Sequence, residues 1–243
     1  MERELRWRPH HFEPELRLVP LFCEKEKTAI DVGANMGQYS YVLAKHSKAV
    51  IAFEPNQDLW VPLRRLVGNN VRLEAVALST DAGHATFRLD PSNTGVATIE
   101  PNNHLSCAAD ASSVVSRTVE TRSLDSFSFS NISIIKIDVE GHEEAVIQGA
   151  KDTLARNRPV LIIESENRHN PGGPRRITQM LSRLGYSGFY VKHKNLMEID
   201  SLSDSDMNSE NLLEPGRPYI NNFLFVPVER SISMAQANEC LSR

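Results

Sequence analysis

The chain is poor in the features that mark several large protein classes. Only three cysteines occur in 243 residues: Cys23, Cys107 and Cys240, far apart, odd in number and forming no C-x-x-C pair. That usage argues against structural zinc and a disulfide framework, and it points to a reducing compartment. No run of about 18 apolar residues is present, so no transmembrane segment is expected. The opening MERELRWRPHHF is charged and lacks the apolar core of a signal peptide, which makes the cytoplasm the expected location. Cations are not in excess: 27 Lys and Arg stand against 31 Asp and Glu, a net charge of −4. A nucleic-acid or anionic-membrane partner would leave the opposite footprint. What remains, 40% hydrophobic and 24% charged residues without an internal repeat, suits one globular domain large enough to bury a core.

The organising stretch is TAIDVGANMG, residues 28–37. An apolar, β-branched run enters a turn built on Gly33, Asn35 and Gly37, and a helix-period segment with Tyr39, Val42, Leu43 and His46 leaves it. A second short run, AVIAF, ends on Glu54-Pro55. This is the opening of a βαβ unit, whose ligands sit at the carboxyl ends of the parallel strands.

Further units follow. A helix from Asp58 to Leu66 is stopped by Gly68-Asn69-Asn70, and strand three is expected over VRLEAVALS, 71–79. HATFRLD and GVATIE predict a β-hairpin inserted after strand three, followed by a small, polar loop from Pro101 to Ser116. ISIIKID (132–138) and PVLIIES (159–165) have the continuous apolar character of buried parallel strands, with a helix over 142–155 between them. The last strands are expected at 186–193 and 221–228, across an acidic, Ser-rich linker (198–216). The rhythm predicts a three-layer α/β/α domain over 28–228, preceded by an N-terminal arm (1–27, with Trp7 and Phe12 as anchors) and followed by a patternless tail (229–243).

The loop separates ligand classes. A dinucleotide fingerprint is G-x-G-x-x-G, whereas this loop is G-x-N-x-G preceded by Asp31. Asn35 can take the left-handed backbone in place of glycine. An acid beside the loop is unfavourable for pyrophosphate and favourable for a cation. S-adenosylmethionine, with its ammonium, its sulfonium and no phosphate, meets that requirement. Glu54, 21 residues after Gly33, would then accept hydrogen bonds from its ribose hydroxyls. The plainer alternative is that Asp31 and Glu54 only cap a helix and a turn.

DVGANMGQYS, FEPN, VALS, and above all IIKIDVEGHEEAVIQGA followed by PVLIIE, resemble the FkbM family of S-adenosylmethionine-dependent methyltransferases over about residues 28–166. The resemblance implies a Rossmann-like class I methyltransferase fold, with a mostly parallel seven-stranded sheet whose last strand is antiparallel, and methyl transfer to oxygen. It implies a cofactor loop of Asp31, Gly33, Asn35 and Gly37, a ribose acid at Glu54 and an adenine-side segment near Ala77. Relatives methylate hydroxyls of sugars and of polyketide macrolides. The expected acceptor is a sugar or glycolipid hydroxyl, with the 2-hydroxyl of a fucose on a lipochitooligosaccharide nodulation signal as the narrower form and a macrolide hydroxyl as the alternative.

An aliphatic hydroxyl is a weak nucleophile, so a base should take its proton. Candidates cluster at the ends of the fourth and fifth strands: Asp138, Glu140, His142, Glu164 and Glu166. Asp138 reads as a site residue touching cofactor or acceptor, or as a helix cap. His142 reads as a neutral base at a helix start or as a packed, hydrogen-bonded histidine. Glu140 is a base or a cap, and Glu164 an acceptor-orienting acid or a solvated strand end. Asp138, Glu164 and Glu166 are also hard donors of the kind that suits Mg²⁺, although acids lining a cleft for a cationic cofactor account for them without a metal. His169, Arg168, Arg175 and Arg176, in the Pro/Gly-rich loop after strand five, read as contacts for a polar acceptor or as a merely solvated loop. Two other classes stay open: a nucleotide-dependent oxidoreductase with a degenerate glycine loop, and a non-catalytic binding module on the same fold.

Overall fold

The computed structural model describes residues 13–103, 105, 114–214 and 216–242, with the backbone alone at 94–96. A 3-10 turn at Pro14–Arg17 and helix α1 (Val19–Phe22) lead into β1 (Thr28–Val32), α2 (Gln38–His46), β2 (Ala49–Phe53), α3 (Trp60–Leu66) and β3 (Val71–Glu74). Then come β4 (Ala77–Leu78), β5 (Gly83–Asp90), β6 (Asn93–Thr98) and β7 (Val115–Arg122). The chain returns with β8 (Ile132–Ile137), α4 (Glu143–Gln148), α5 (Lys151–Asn157), β9 (Val160–Glu164) and α6 (Gly173–Arg183). It ends with β10 (Tyr186–Lys192), β11 (Asn195–Glu198), β12 (Asn222–Pro227) and α7 (Met234–Ser242).

Eight strands form the main sheet in the order β11-β10-β12-β9-β8-β1-β2-β3. β3, β2, β1, β8 and β9 are parallel, and β12 lies antiparallel between β9 and β10. Period-two alternation sends Ile30, Ile51, Ile135, Leu161 and Phe223 to one face, against Val146, Ile147 and Leu154 of α4 and α5 and Ile177 of α6. Ala29, Val50, Ile134, Ile162 and Leu224 go to the other face, against Val19, Leu43 and Ala237 of α1, α2 and α7. These are the two cores of a three-layer domain, and each fully buried Ile or Leu contributes about 1.5–3 kcal/mol.

At the carboxyl end of the sheet the second face changes character. The positions continuing the Ala29, Ile134, Ile162 and Leu224 series are Asp31, Lys136, Glu164 and Asn222, a polar layer under α2.

The fold class is the expected one, with several differences. The sheet has eight strands, because β11 adds an antiparallel edge to β10. Strand three divides: after Glu74 the chain leaves the main sheet, and Ala77-Leu78 pairs with β7 instead. The expected hairpin is β5 and β6, enlarged by β4 and β7 into a separate four-stranded sheet, β4-β7-β5-β6. The helix expected over 142–155 breaks between α4 and α5, where Gly149 packs on Ser79; a Cβ there would stand 2.1 Å from the Ser79 carbonyl oxygen. The patternless tail contains α7, held by Ala237 and Leu241 in the core and by Asn238, which accepts the Leu196 N–H at 2.8 Å. Trp7, Phe12 and most of the 104–113 loop lie outside the described residues. Among the described residues no helix is long and apolar enough to cross a membrane.

Candidate active site

A cleft of about 750 Å³, open to solvent, lies over the carboxyl ends of β1, β2 and β8. Its first wall is the loop after β1. Gly33, Asn35 and Gly37 all take positive φ (79°, 47° and 91°), so the chain turns back tightly before α2. Gly33 is pressed on the end of β8: a Cβ would meet the Asp138 carbonyl oxygen at 1.8 Å. Gly37 starts α2 against Leu63 and is not on the cleft wall.

Glu54 forms the second wall and is 5% exposed. One carboxylate oxygen accepts the Asn35 N–H and the other the Asn56 N–H, both at 2.7 Å, which locks β1's loop to the end of β2. Burial pushes its carboxyl up to about 7, against the pull of those two donors. Between the walls the lining is apolar: Val32, Phe53, Leu59 and Val76, with Leu78 and Phe87 from the second sheet and Ile99 just after β6. Ala77 lies in the same lining. Asp138 and Glu140 close the far side. Glu140 takes φ 52°, and its carboxylate pairs with His169 at 2.8 Å. Its carbonyl accepts Thr98 Oγ1–H and Asn103 Nδ2–H, fastening the second sheet over the cleft. Among the described residues, the lining carries three carboxylates, Glu54, Asp138 and Glu140, and no Lys, Arg or His.

Other residues singled out in the sequence lie elsewhere. Strand alternation turns Asp31 under α2, where it is 1% exposed and accepts the Ser40 hydroxyl at 2.6 Å; burial pushes it up to about 6. Its carboxylate is therefore off the cleft wall. His142 has both ring nitrogens engaged, with Ser79 Oγ at 2.9 Å and Glu100 Oε2 at 3.1 Å, the geometry of the packed-histidine alternative. Glu166 is held by Arg168 and the Tyr219 hydroxyl, Arg175 by Asp204, and Arg176 by Glu144.

One buried charged side chain beside the cleft was not singled out in the sequence. Lys136 is 1% exposed within β8, and its ammonium donates to Asn222 Oδ1 at 3.0 Å. Three carboxylates surround it: Glu13 at 3.7 Å, and Asp138 and Glu164 at 3.9 Å each. The Tyr39 ring lies 4.5 Å away, its hydroxyl donating to Glu13 at 2.7 Å. Asn221 Nδ2 donates to Glu164 at 2.8 Å. Burial pushes Asp138 up to about 8, with Lys136 pulling the other way, and holds Glu164 well above the usual carboxylate range. The signal was present in the sequence: a lysine inside an otherwise apolar buried run must be paired to stay there. Its ammonium lies 3.9 Å from both Asp138 and Glu164, and among the described residues no group of three or more His, Cys, Asp or Glu is placed to hold a metal ion.

Parallel strands in this order, the antiparallel β12 between β9 and β10, and a cleft over the glycine turn give the α/β fold of methyltransferases. The methyltransferase FkbM from Methylobacillus flagellatus KT shares the fold, with TM-score 0.55 and 14% identity over 91% of this chain and 46% of its own. SMU.1697c from Streptococcus mutans, solved in complex with SAH, shares it with TM-score 0.51 and 10% identity over 88% of this chain and 98% of its own. The chain belongs to the FkbM methyltransferase family: residues 31–187 match the methyltransferase FkbM domain. Among curated relatives, hexuronic acid methyltransferase AglP from Haloferax volcanii is 26% identical over 178 residues, 71% of this chain and 68% of AglP. 2-O-methyltransferase NoeI from Sinorhizobium fredii is 28% identical over 159 residues, 58% of this chain and 65% of NoeI. The chain thus spans about two thirds of these relatives and less than half of the Methylobacillus protein.

Proposed function

We propose that this protein transfers a methyl group from S-adenosylmethionine to a hydroxyl oxygen of a sugar carried on a glycan or glycolipid. The observation that carries the reading is the charge of the cleft: an apolar slot edged by Glu54, Asp138 and Glu140, without a cation among the described residues of its lining. A dinucleotide brings a pyrophosphate, which that lining repels. A phosphate-free, positively charged nucleoside is attracted.

The residues fit that cofactor. Each Glu54 oxygen already accepts one backbone N–H and keeps a lone pair, so the carboxylate can take both hydroxyls of a ribose diol. Val76, Leu78 and Phe87 supply an apolar site for adenine, and Asp138 with the Gly33 loop faces the cationic end. When bound, the cofactor supplies an electrophilic methyl group, whose bond to sulfur breaks toward sulfur as the acceptor oxygen's lone pair forms the new O–C bond. Asp138 takes the hydroxyl proton, a contribution of typically about 10²–10⁴-fold. A carboxylate with its affinity for protons raised by burial suits that task near neutral pH. Glu164, at the end of the adjacent β9 and 18% exposed, is the group for one of the acceptor's other hydroxyls.

The names of AglP, for hexuronic acid, and NoeI, for 2-O transfer, support a sugar acceptor. The narrower reading is the 2-hydroxyl of a fucose on a lipochitooligosaccharide. The test is incubation with methyl-labelled cofactor against fucosylated lipochitooligosaccharides, hexuronic-acid glycans and macrolides, alongside calorimetric titration with S-adenosylhomocysteine and NADPH. Labelled sugar and binding of S-adenosylhomocysteine alone are expected. Binding of NADPH without S-adenosylhomocysteine overturns the cofactor; label on macrolides only overturns the acceptor.

A further inference from the structure

We propose that Lys136 is a positioning residue of the methyl-transfer site: its buried ammonium draws the Asp138 and Glu164 carboxylates together at the ends of β8 and β9 and keeps one of them ionised to receive the acceptor's proton. The inference rests on the O-methyl-transfer reading and deepens it.

An isolated ammonium buried this deeply would lose its charge or leave the core. Lys136 does neither, because Glu13, Asp138 and Glu164 all lie within 3.9 Å of Nζ. Burial pulls its proton affinity down, and these carboxylates, with Glu15 behind them, outweigh that pull and hold it above the usual lysine range. Lys136 therefore stays an ammonium and is not itself the base.

The cluster is short of positive charge. One ammonium faces three close carboxylates, Asp31 lies beside it in register on β1, and Glu140 and Glu143 face Asp138 from the segment that opens α4. Not all of these acids can ionise together in so buried a place. Lys136 sits at the same distance from Asp138 and Glu164, so it favours ionisation of either and holds the pair with fewer protons than burial alone would leave. Asn222 on β12 fixes the ammonium laterally, and the Tyr39 ring of α2 covers it. Of the three carboxylates only Asp138 lies on the cleft wall, with 29% of its side chain exposed. In the transfer step the hydroxyl proton passes to the Asp138 carboxylate, the oxygen's electron pair goes into the O–C bond, and Lys136 keeps its proton. Glu13 competes for the ammonium. Its carboxylate, which accepts the Tyr39 hydroxyl, lies 3.7 Å from the Lys136 ammonium, slightly nearer than Asp138 or Glu164.

The test is a ¹³C NMR titration of the Asp138 and Glu164 carboxyl carbons in the wild type, Lys136→Met and Glu13→Gln, with the pH profile of methyl transfer recorded beside it. Lys136→Met should raise the midpoints of the pair by about 1–3 pH units, a roughly 10- to 1,000-fold loss of ionised carboxylate at a fixed pH below them. Glu13→Gln removes a competing negative charge and should lower them. Glu13 also repels both carboxylates directly, so its removal lowers the midpoints with or without Lys136, and the rise in Lys136→Met is the shift that a purely structural role does not predict. Should Lys136→Met not fold, Lys136→Gln, whose amide can still donate to Asn222, is titrated in its place, and an unmoved or lowered midpoint overturns the inference. Methyl transfer with unmoved midpoints also overturns it. Shifted midpoints with no methyl transfer overturn the functional reading instead and leave Lys136 as the organiser of the pair.

Discussion

Glu54→Gln keeps the shape of a buried side chain while removing its charge and one of its two acceptor oxygens. In the wild type those oxygens accept the Asn35 and Asn56 N–H groups and retain one lone pair each toward the cleft. Glutamine is neutral and has a single acceptor oxygen, so both ribose hydroxyls lose a charged partner and one loses its acceptor altogether. A hydrogen bond to a charged group contributes about 1.5–3 kcal/mol, which converts to a roughly 10- to 150-fold rise in Kd for S-adenosylhomocysteine. The variant should remain folded at pH 8, because the buried charge it removes is itself unfavourable there. Calorimetry across pH supplies a second signature. Wild-type affinity should weaken as pH falls below about 7, when Glu54 takes up a proton, and that limb should be missing from the glutamine variant. Wild-type affinity in the variant at pH 8, or an unchanged pH limb, would refute the ribose role of Glu54.

Gly33→Ala should destabilise the protein by more than about 2 kcal/mol in urea unfolding, since its Cβ meets the Asp138 carbonyl at 1.8 Å at a φ of 79°; an unshifted midpoint contradicts that packing. Asp138→Asn should lower turnover by about 10²–10⁴-fold and affect S-adenosylhomocysteine affinity less; the reverse pattern reassigns Asp138 to the cofactor. Burial raises Asp31 to about 6, Glu15, Glu54 and Glu143 to about 7, and Asp138 to about 8. The folded chain therefore binds more protons than the unfolded chain between about pH 4 and 8, and stability is lost as pH rises through that window. Tm should fall from pH 5 to pH 8, and a steady rise over that range would contradict these assignments.

The parts of the fold legible in the sequence were those set by local rules. ISIIKID and PVLIIES announced buried strands because parallel strands covered on both faces need continuous apolar runs. Gly33, Asn35 and Gly37 announced the turn because positive φ demands such residues, and the structure uses it at all three. What escaped depends on long-range packing. Gly149 breaks a helix because Ser79, 70 positions earlier, comes against its backbone. β11 and α7 support each other and carry little pattern alone. Asp31 stands at the right place in the sequence, but its strand parity points it under α2 with Ser40. Lys136 gains its meaning only from Glu13, Glu164 and Asn222, which arrive from three other elements.

A crystal structure of the protein soaked with S-adenosylhomocysteine tests the central claim most directly. The account predicts the ribose hydroxyls on Glu54, the adenine beside Val76 and Leu78, and the sulfur end toward Asp138. A nucleoside bound outside this cleft, or one whose ribose turns away from Glu54, would contradict it.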